Sequence, residues 1–314
     1  MSGQLSMLGG APARASALDL YARATPGFEE RLARTVALLR QAASEHGSGL
    51  IQASSLGAED MVITDLISRH ALPICVATLD TGRLHAQTLA LLPRIRQSYG
   101  IEVQVYSPPE QAVITLVRER GLNSMYESLA LRKECCGIRK LEPLKRMLDG
   151  RTAWITGLRR EQSANRADVP FTEPDGPGRV KLNALAEWSW ADVWHYIQSY
   201  AVPYNDLHDQ FMPSIGCEPC TRAIAVGEDF RAGRWWWEND DAKECGLHKS
   251  HSPAQAGSAH GAEIGSGVSA QANFGKAEVK AATAAGRSQD ENAKECGLHK
   301  AQSNEELNNH GAKA

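Results

Sequence analysis

"GLIQASSLGAEDMVITDLISRHALPICVATLDTG", residues 49–82, is the stretch whose reading decides the fold. A short apolar run opens into a small-residue turn at Ser54–Gly57, apolar positions then recur at helical spacing, and a second apolar run follows. In order, these are strand, turn, helix and strand. The pattern extends in both directions. "FEERLARTVALLRQAASEHG" (28–47) predicts a helix closed by glycine, "AQTLALLPRIRQSYG" (86–100) a helix, "IEVQVYSP" (101–108) a strand, "TAWITGLRR" (152–160) a strand and "WSWADVWHYIQSYA" (188–201) a helix. Strands alternating with helices imply an α/β fold, a parallel sheet flanked by helices with right-handed crossovers. Loops that follow parallel strands gather at the carboxyl edge, where ligands bind at the switch in strand order. Three loops of interest fall there: "SSLGAED" (54–60), "LDTGR" (79–83) and "TGLRREQ" (156–162).

The chain has 314 residues, 42% of them hydrophobic, enough for a proper core. Its net charge of −3 mixes 34 basic with 37 acidic side chains, so no global field points to nucleic acid or to an acidic membrane surface. Any anion site must be built locally. No apolar run reaches signal-peptide or bilayer-spanning length, and the expectation is a soluble cytoplasmic protein. Composition shifts after "GRWWWEND": from Glu238 onward Phe274 is the only aromatic, and Ala, Gly, Ser, Asn, Gln and charge fill the rest. The expected organisation is a flexible N-terminus (1–25), a folded body (26–237) and a mobile tail (238–314).

Seven cysteines in a reducing compartment are read for metal or redox chemistry before disulfides. "ECCG" supplies adjacent Cys135 and Cys136, and "GCEPC" supplies Cys217 and Cys220. Four thiolates in two pairs can hold zinc or an iron–sulfur cluster. Side chains of adjacent cysteines diverge, which suits several irons better than one small ion, so the spacing favours [4Fe–4S], with zinc the alternative and four unrelated buried cysteines the plain one. Lys140 follows Cys136 by four residues and shares its face if the segment is helical, close to a cluster and to a bound anion.

The serine turn is either a cradle for phosphate or sulfate or an ordinary tight turn, for it has neither a Walker lysine nor a GxGxxG run. Arg159, Arg160 and Arg166 suit anions or surface ion pairs alike. Arg231 and Arg234 sit three apart, matched to phosphate or sulfate geometry, and the tryptophans at 235–237 read as packing or as a shield for the cluster.

"AKECGLHK" occurs at 242–249 and again at 293–300. Nothing else recurs and the octapeptide has one large apolar side chain, so it is a duplicated tail segment and no folding unit. Cys245 lies among Lys243, His248 and Lys249, whose charges favour thiolate over thiol and make it a candidate nucleophile on a segment able to swing over a site.

In this order, "SSLGAED", "LDTGR", "ECCGIRK", "GLRREQS", "GCEPCTR", "GRWWWE" and "KECGLH" resemble the assimilatory sulfonucleotide reductases, and within them the iron–sulfur type acting on adenosine 5′-phosphosulfate (APS). The resemblance covers about residues 26–249. It implies a fold similar to PP-loop nucleotide-binding proteins. The loop here lacks that motif's lysine and final serine, which suits binding a nucleotide without cleaving ATP.

Carried over by position, the resemblance implies a [4Fe–4S] cluster on Cys135, Cys136, Cys217 and Cys220, with Cys245 as nucleophile. Lys140, Arg166, Arg231, Arg234 and His248 would surround the phosphosulfate, and Ser54, Ser55, Leu79 and Gly157 would line the nucleotide pocket. The implied reaction is thioredoxin-dependent reduction of APS to sulfite and AMP through an S-sulfocysteine, with thioredoxin or a glutaredoxin-like protein as reductant and a homo-oligomer as the assembly. The second octapeptide departs from the family. Cys296 would be a spare nucleophile, a resolving thiol or a silent duplicate. Alternatives are a reductase for the 3′-phosphorylated nucleotide (PAPS) and a PP-loop iron–sulfur tRNA thiolase, whose SGGxDS-type loop is absent. A redox sensor or zinc module leaves the nucleotide loops unexplained.

Overall fold

The computed structural model describes residues 15–238. Six strands form one sheet in the order β3-β2-β1-β4-β6-β5. They are β1 (Leu50–Ser54), β2 (Cys75–Leu79), β3 (Gln104–Tyr106), β4 (Ala153–Thr156), β5 (Thr172–Pro174) and β6 (Val180–Asn183). β1 pairs in parallel with β2 and β4, β2 with β3, and β4 with β6. The expected parallel sheet is present, with one addition: β5 runs antiparallel to β6 at the edge. Chain order leaves β1 toward β2 and β3 on one side and resumes with β4 on the other, so the switch lies between β1 and β4.

The helices are α1 (Ala17–Tyr21), α2 (Phe28–His46), α3 (Ala58–Arg69), α4 (Ala86–Leu89), α5 (Leu91–Tyr99), α6 (Glu110–Arg120), α7 (Leu129–Cys136), α8 (Glu142–Met147) and α9 (Trp190–Tyr200). The segment read as one helix over 86–100 is two. Pro93 lacks an N–H and its ring crowds the carbonyl four residues back, that of Leu89, which is where α4 stops. The strand read over 101–108 shrinks to three residues at an edge.

Neighbouring residues of β1 face opposite sides of the sheet, and both sides are covered. Leu50 clusters with Leu39, Met61, Ile63 and Trp194 from α2, α3 and α9 and with Trp188 just before α9, whereas Ile51 clusters with Ala77, Met147, Leu148 and Trp154 beside α8. Burial on both faces explains why the central strands read as continuous apolar runs.

Residues 15–25, grouped by composition with the N-terminal leader, contain α1. Ser16 caps it, Ala17 is fully buried, and Tyr21 stacks on Trp190 and Trp194. Asp192 of α9 then accepts hydrogen bonds from the Thr25 N–H and hydroxyl, both 2.9 Å. No helix among the described residues is long and apolar enough to cross a membrane.

Candidate active site

Ser54 ends β1, Leu79 ends β2 and Gly157 follows β4, and the parallel register brings all three to one edge. A cleft opens there. Ser54, Ser55, Leu79, Lys140, Gly157, Arg166, Arg231 and Arg234 all line it. Cys245, His248 and Cys296 lie outside the described residues, as does nearly all of the tail.

The serine turn is built differently from a vacant anion cradle. The Ser55 N–H and hydroxyl both donate to Asp60 Oδ2, at 2.7 and 2.6 Å, so a carboxylate in the first turn of α3 already occupies the donors. Leu56, fully buried, is held at φ 60°, a left-handed conformation uncommon for a branched residue, and its N–H donates to Ser54 Oγ at 3.1 Å. Gly157 closes the other wall. A Cβ there would lie 2.7 Å from Asp60 Oδ1 and 2.8 Å from Glu59 Cβ, so only glycine permits this approach of β4 to α3.

Burial pushes the Asp60 carboxyl up to about 6, with Glu59 adding to the rise and the Ser55 hydrogen bonds opposing it. Between about pH 4 and 6 the folded protein therefore binds a proton that an ordinary unfolded-chain carboxyl releases, and stability falls as pH rises through that window. Asp60→Asn keeps an acceptor for Ser55 without the charge. Urea unfolding at pH 4.5 and 7.5 is expected to show the wild type losing about 2 kcal/mol more than the variant between the two. Equal losses would assign the titration to another group.

The arginines divide. Arg159 is wholly buried, paired with Glu59 at 2.9 Å and Glu161 at 2.7 Å beneath Trp190 and Phe230, and so serves the scaffold. Arg160 pairs with Glu187 at 3.0 Å near the surface. Arg166 reaches the cleft, its Nη1 donating to Gln162 Oε1 at 2.6 Å. Arg234 is buried, donates to Ile215 O at 3.0 Å and lies 4.6 Å over the Trp235 ring.

Beside the cleft, Cys135, Cys136, Cys217 and Cys220 line a second, smaller cavity with Arg83, Arg132, Arg139 and Lys140. Two segments supply the thiols. α7 ends at Cys136 and passes into a π-helical turn, Gly137–Leu141, a widened geometry frequent at functional sites. Cys217 is fixed from the other side by a bridge to Leu84, and the Glu218 N–H donates to Arg83 O at 2.8 Å. Lys140 and Trp235 line both cavities, so they form the partition between them. The helical condition on Lys140 is met through a π turn, and its side chain is buried.

The thiols feel one another. Burial, reinforced by Cys217, pushes Cys220 up to about 12. Burial likewise raises Cys135. At Cys217 burial also works upward, but Lys140, the Thr81 hydroxyl at 3.2 Å, Arg234 and Arg139 outweigh it and hold the thiol below its usual value. Cys217 raises both Cys135 and Cys220, and a cationic centre held among the four thiols would relieve that repulsion. Among the described residues no three metal-ligating side chains converge tightly enough for a single ion.

Trp235, 1% exposed, packs on Met125, Cys217 and Cys220. The packing reading of the tryptophans holds for it, while Trp236 is exposed. Several participants carried no separate signal in the sequence. Asp60 is one letter of the serine turn with no pattern of its own, and Thr81, Gln162, His208 and Arg139 reach these cavities through tertiary packing.

A family model described as the phosphoadenosine phosphosulfate reductase domain matches residues 49–223. The chain is 51% identical over 237 residues to a protein of Allochromatium vinosum named adenosine 5′-phosphosulfate reductase, covering 75% of this chain and 92% of that one. It is 50% identical over 242 residues to a protein of the same name from Burkholderia cepacia, covering 75% and 96%. Among solved structures, the phosphoadenylyl-sulfate reductase of Candida auris in its phosphate complex superposes with a TM-score of 0.50 at 25% identity, over 63% of this chain and 98% of that one. Residues 49–223 carry all four described site cysteines and the cleft lining from Ser54 to Gly216, and the chain belongs to the phosphoadenosine phosphosulfate reductase family of oxidoreductases acting on sulfur.

Proposed function

We propose that this protein reduces adenosine 5′-phosphosulfate to sulfite and AMP, with Cys245 as nucleophile and a dithiol protein of the thioredoxin or glutaredoxin type as reductant. The observation that carries the reading is the shared wall: a cationic cleft at the sheet's switch point and a four-thiol cavity meet at Lys140 and Trp235. The name borne by the half-identical relatives supports the non-phosphorylated nucleotide, and rates with both nucleotides distinguish it from its 3′-phosphorylated analogue.

The chemistry follows from charge. A thiolate must reach a sulfur surrounded by anionic oxygens, so those oxygens and the departing phosphate have to be neutralised first. Lys140, Arg166, Arg231 and Arg234 supply that charge along one cleft. Ser54, Ser55, Leu79 and Gly157 line the same cleft and would receive the nucleoside. Cys245 Sγ bonds to the sulfur, the sulfur–oxygen bond to the phosphate breaks, and AMP leaves with the electron pair. A thiolate of the reductant then attacks Cys245 Sγ and sulfite departs with the pair from the sulfur–sulfur bond. The second thiol resolves the mixed disulfide, so the dithiol is oxidised by two electrons and Cys245 is regenerated. His248, three residues from Cys245, would keep the thiolate and the incoming anion company in this scheme.

Cys135, Cys136, Cys217 and Cys220 would hold a [4Fe–4S] cluster, which supplies a fixed polarising charge beside the cleft. Thiols kept reduced in this way belong to the cytoplasm, the compartment we assign.

The test is anaerobic incubation of the full chain with APS and no reductant, followed by peptide mass spectrometry. A sulfonate adduct on the peptide holding Cys245, stoichiometric with AMP release, is expected. AMP and sulfite formed while that peptide stays unmodified would overturn the mechanism.

A further inference from the structure

His208 lines the cleft, is 4% exposed, and has no hydrogen-bond partner on either ring nitrogen among the described residues. A buried polar atom without a partner is costly and rare in a settled core. Two on one ring call for a cause.

The ring is held where it is. It rises from the turn Asp206–Gln210, capped by Asn205, whose side-chain oxygen accepts from the Leu207 N–H at 3.1 Å and whose side-chain nitrogen donates to Thr88 Oγ1 at 2.9 Å. Asp209 of the same turn accepts from the Ala17 N–H at 2.7 Å and so ties the turn to α1. The imidazole packs edge-on against Trp190 and Trp194, with ring centroids 5.8 and 5.3 Å away. Burial pushes His208 down to about 4, against the pull of Glu59, the Met212 backbone and Asp209, so near neutral pH the ring is uncharged. It therefore offers one N–H and one lone pair.

The charges acting on this ring are carboxylates, and no cation of the cleft is among them. Glu59, the stronger of the two, packs on Gly157, where a Cβ would lie 2.8 Å from Glu59 Cβ. That links His208 through Glu59 to a residue assigned to the nucleoside. We propose that His208 is a nucleotide-binding residue that recognises a ribose hydroxyl through a ring nitrogen. This deepens the proposed function; it rests on the cleft being a nucleotide site and is independent of which cysteine is the nucleophile.

Chemistry favours the hydroxyl over the other parts of a nucleotide. A phosphate or sulfate calls for a charged donor, which burial denies this ring. An adenine edge carries its donors and acceptors on different atoms in fixed positions, so each suits only one tautomer of the histidine. A hydroxyl donates or accepts by turning about its C–O bond and satisfies whichever tautomer the ring holds. A site built to hydrogen-bond a hydroxyl also rejects the analogue lacking it, because its own buried polar atom is then left unpaired.

Affinities of AMP, 2′-deoxy-AMP and 3′-deoxy-AMP for the full chain test the assignment. Wild type is expected to bind one of the two deoxy nucleotides about 10-fold more weakly than AMP. His208→Phe keeps an aromatic ring against the tryptophans and removes both nitrogens. It should bind AMP about as weakly as wild type binds that deoxy nucleotide, and bind the two alike. Thermal unfolding supplies a readout apart from binding: free of nucleotide, the variant should unfold at or above the wild-type temperature, since two unpaired buried polar atoms are gone. A structural histidine would give the opposite, lost stability with the discrimination kept, and that result would overturn the proposal. So would a wild type that binds all three nucleotides equally. A variant that keeps the discrimination but loses a wild-type preference for AMP over inosine monophosphate would assign the ring to the base and overturn it as well. Should the variant fold poorly, the nitrogen-15 resonances of the His208 ring in wild type decide: they should move with AMP and stay with the disfavoured deoxy nucleotide, and resonances unmoved by AMP exclude the contact. A wild type that binds no AMP at all fails the nucleotide reading of the cleft instead, an outcome visible before any variant is made.

Discussion

Serine at position 245 is expected to cut sulfite release by at least about 10³-fold while leaving nucleotide affinity within a few-fold of wild type. A hydroxyl at that site has no thiolate form near neutral pH, and it cannot build the sulfur–sulfur bond on which the second half of the reaction depends. The proposed binding groups are untouched, because Ser54, Ser55, Leu79, Lys140, Gly157, Arg166, Arg231 and Arg234 belong to the cleft itself. The duplicate octapeptide makes the residual rate informative. Cys296 lies 58 residues beyond Glu238, against seven for Cys245. In the coil limit effective concentration falls as roughly the −3/2 power of tether length, so Cys296 would act about 20-fold more slowly than Cys245. A residual near one-twentieth, removed by adding Cys296→Ser, identifies a spare nucleophile. A residual below one-thousandth assigns the second copy no part in the first step. Full-speed turnover with both cysteines replaced would end the thiolate mechanism. Quantified AMP and sulfite, measured for the single and the double variant, separate the three results.

The parts legible in the sequence and the parts hidden from it differ for a physical reason. Local periodicity wrote α2, α3, β1, β2 and β4 plainly, since each is long or apolar enough to declare its repeat. β6 was missed because Val180–Asn183 is four residues with a lysine and an asparagine, and β5 because "TEP" contains no large apolar residue at all. That hairpin exists through its pairing on β4, a tertiary cause. The site shows the same split. Residue type and spacing named both cysteine pairs and the cationic set that lines the cleft. Spacing could not show that Asp60 fills the Ser55 donors, because the expectation of an anion cradle came from a turn pattern that a nearby carboxylate also satisfies. Nor could it separate Arg159, which is wholly buried against Glu59 and Glu161, from Arg166, which lines the cleft.

Gly216→Ala should reduce kcat/KM about 10²-fold without altering any charged residue. A Cβ on Gly216 would fall 2.2 Å from Arg234 Nη2 and 2.4 Å from its Cζ, closer than any real contact, so the guanidinium has to leave. The displaced atoms are the end of a flexible side chain, and the backbone of the Cys217 turn can stay where it is. Stability should therefore fall by no more than about 1–2 kcal/mol. On the proposed mechanism the guanidinium is what matters for rate. It borders the cleft, it helps hold Cys217 below its usual thiol value, and it stacks on Trp235, the partition between the two cavities. Moving it by the width of a methyl group takes a fixed positive charge off the line along which the anionic leaving group develops. Arg234→Ala deletes the same charge outright and is expected to cost about 10³-fold, setting the upper limit for the glycine variant. Steady-state rates with the nucleotide, paired with thermal unfolding of each variant, measure both effects. If Gly216→Ala turns over like wild type at unchanged stability, Arg234 has found another route into the cleft and its position is not what the rate depends on. If Arg234→Ala is also silent, the charge that stabilises the departing phosphate resides with Lys140, Arg166 and Arg231 alone.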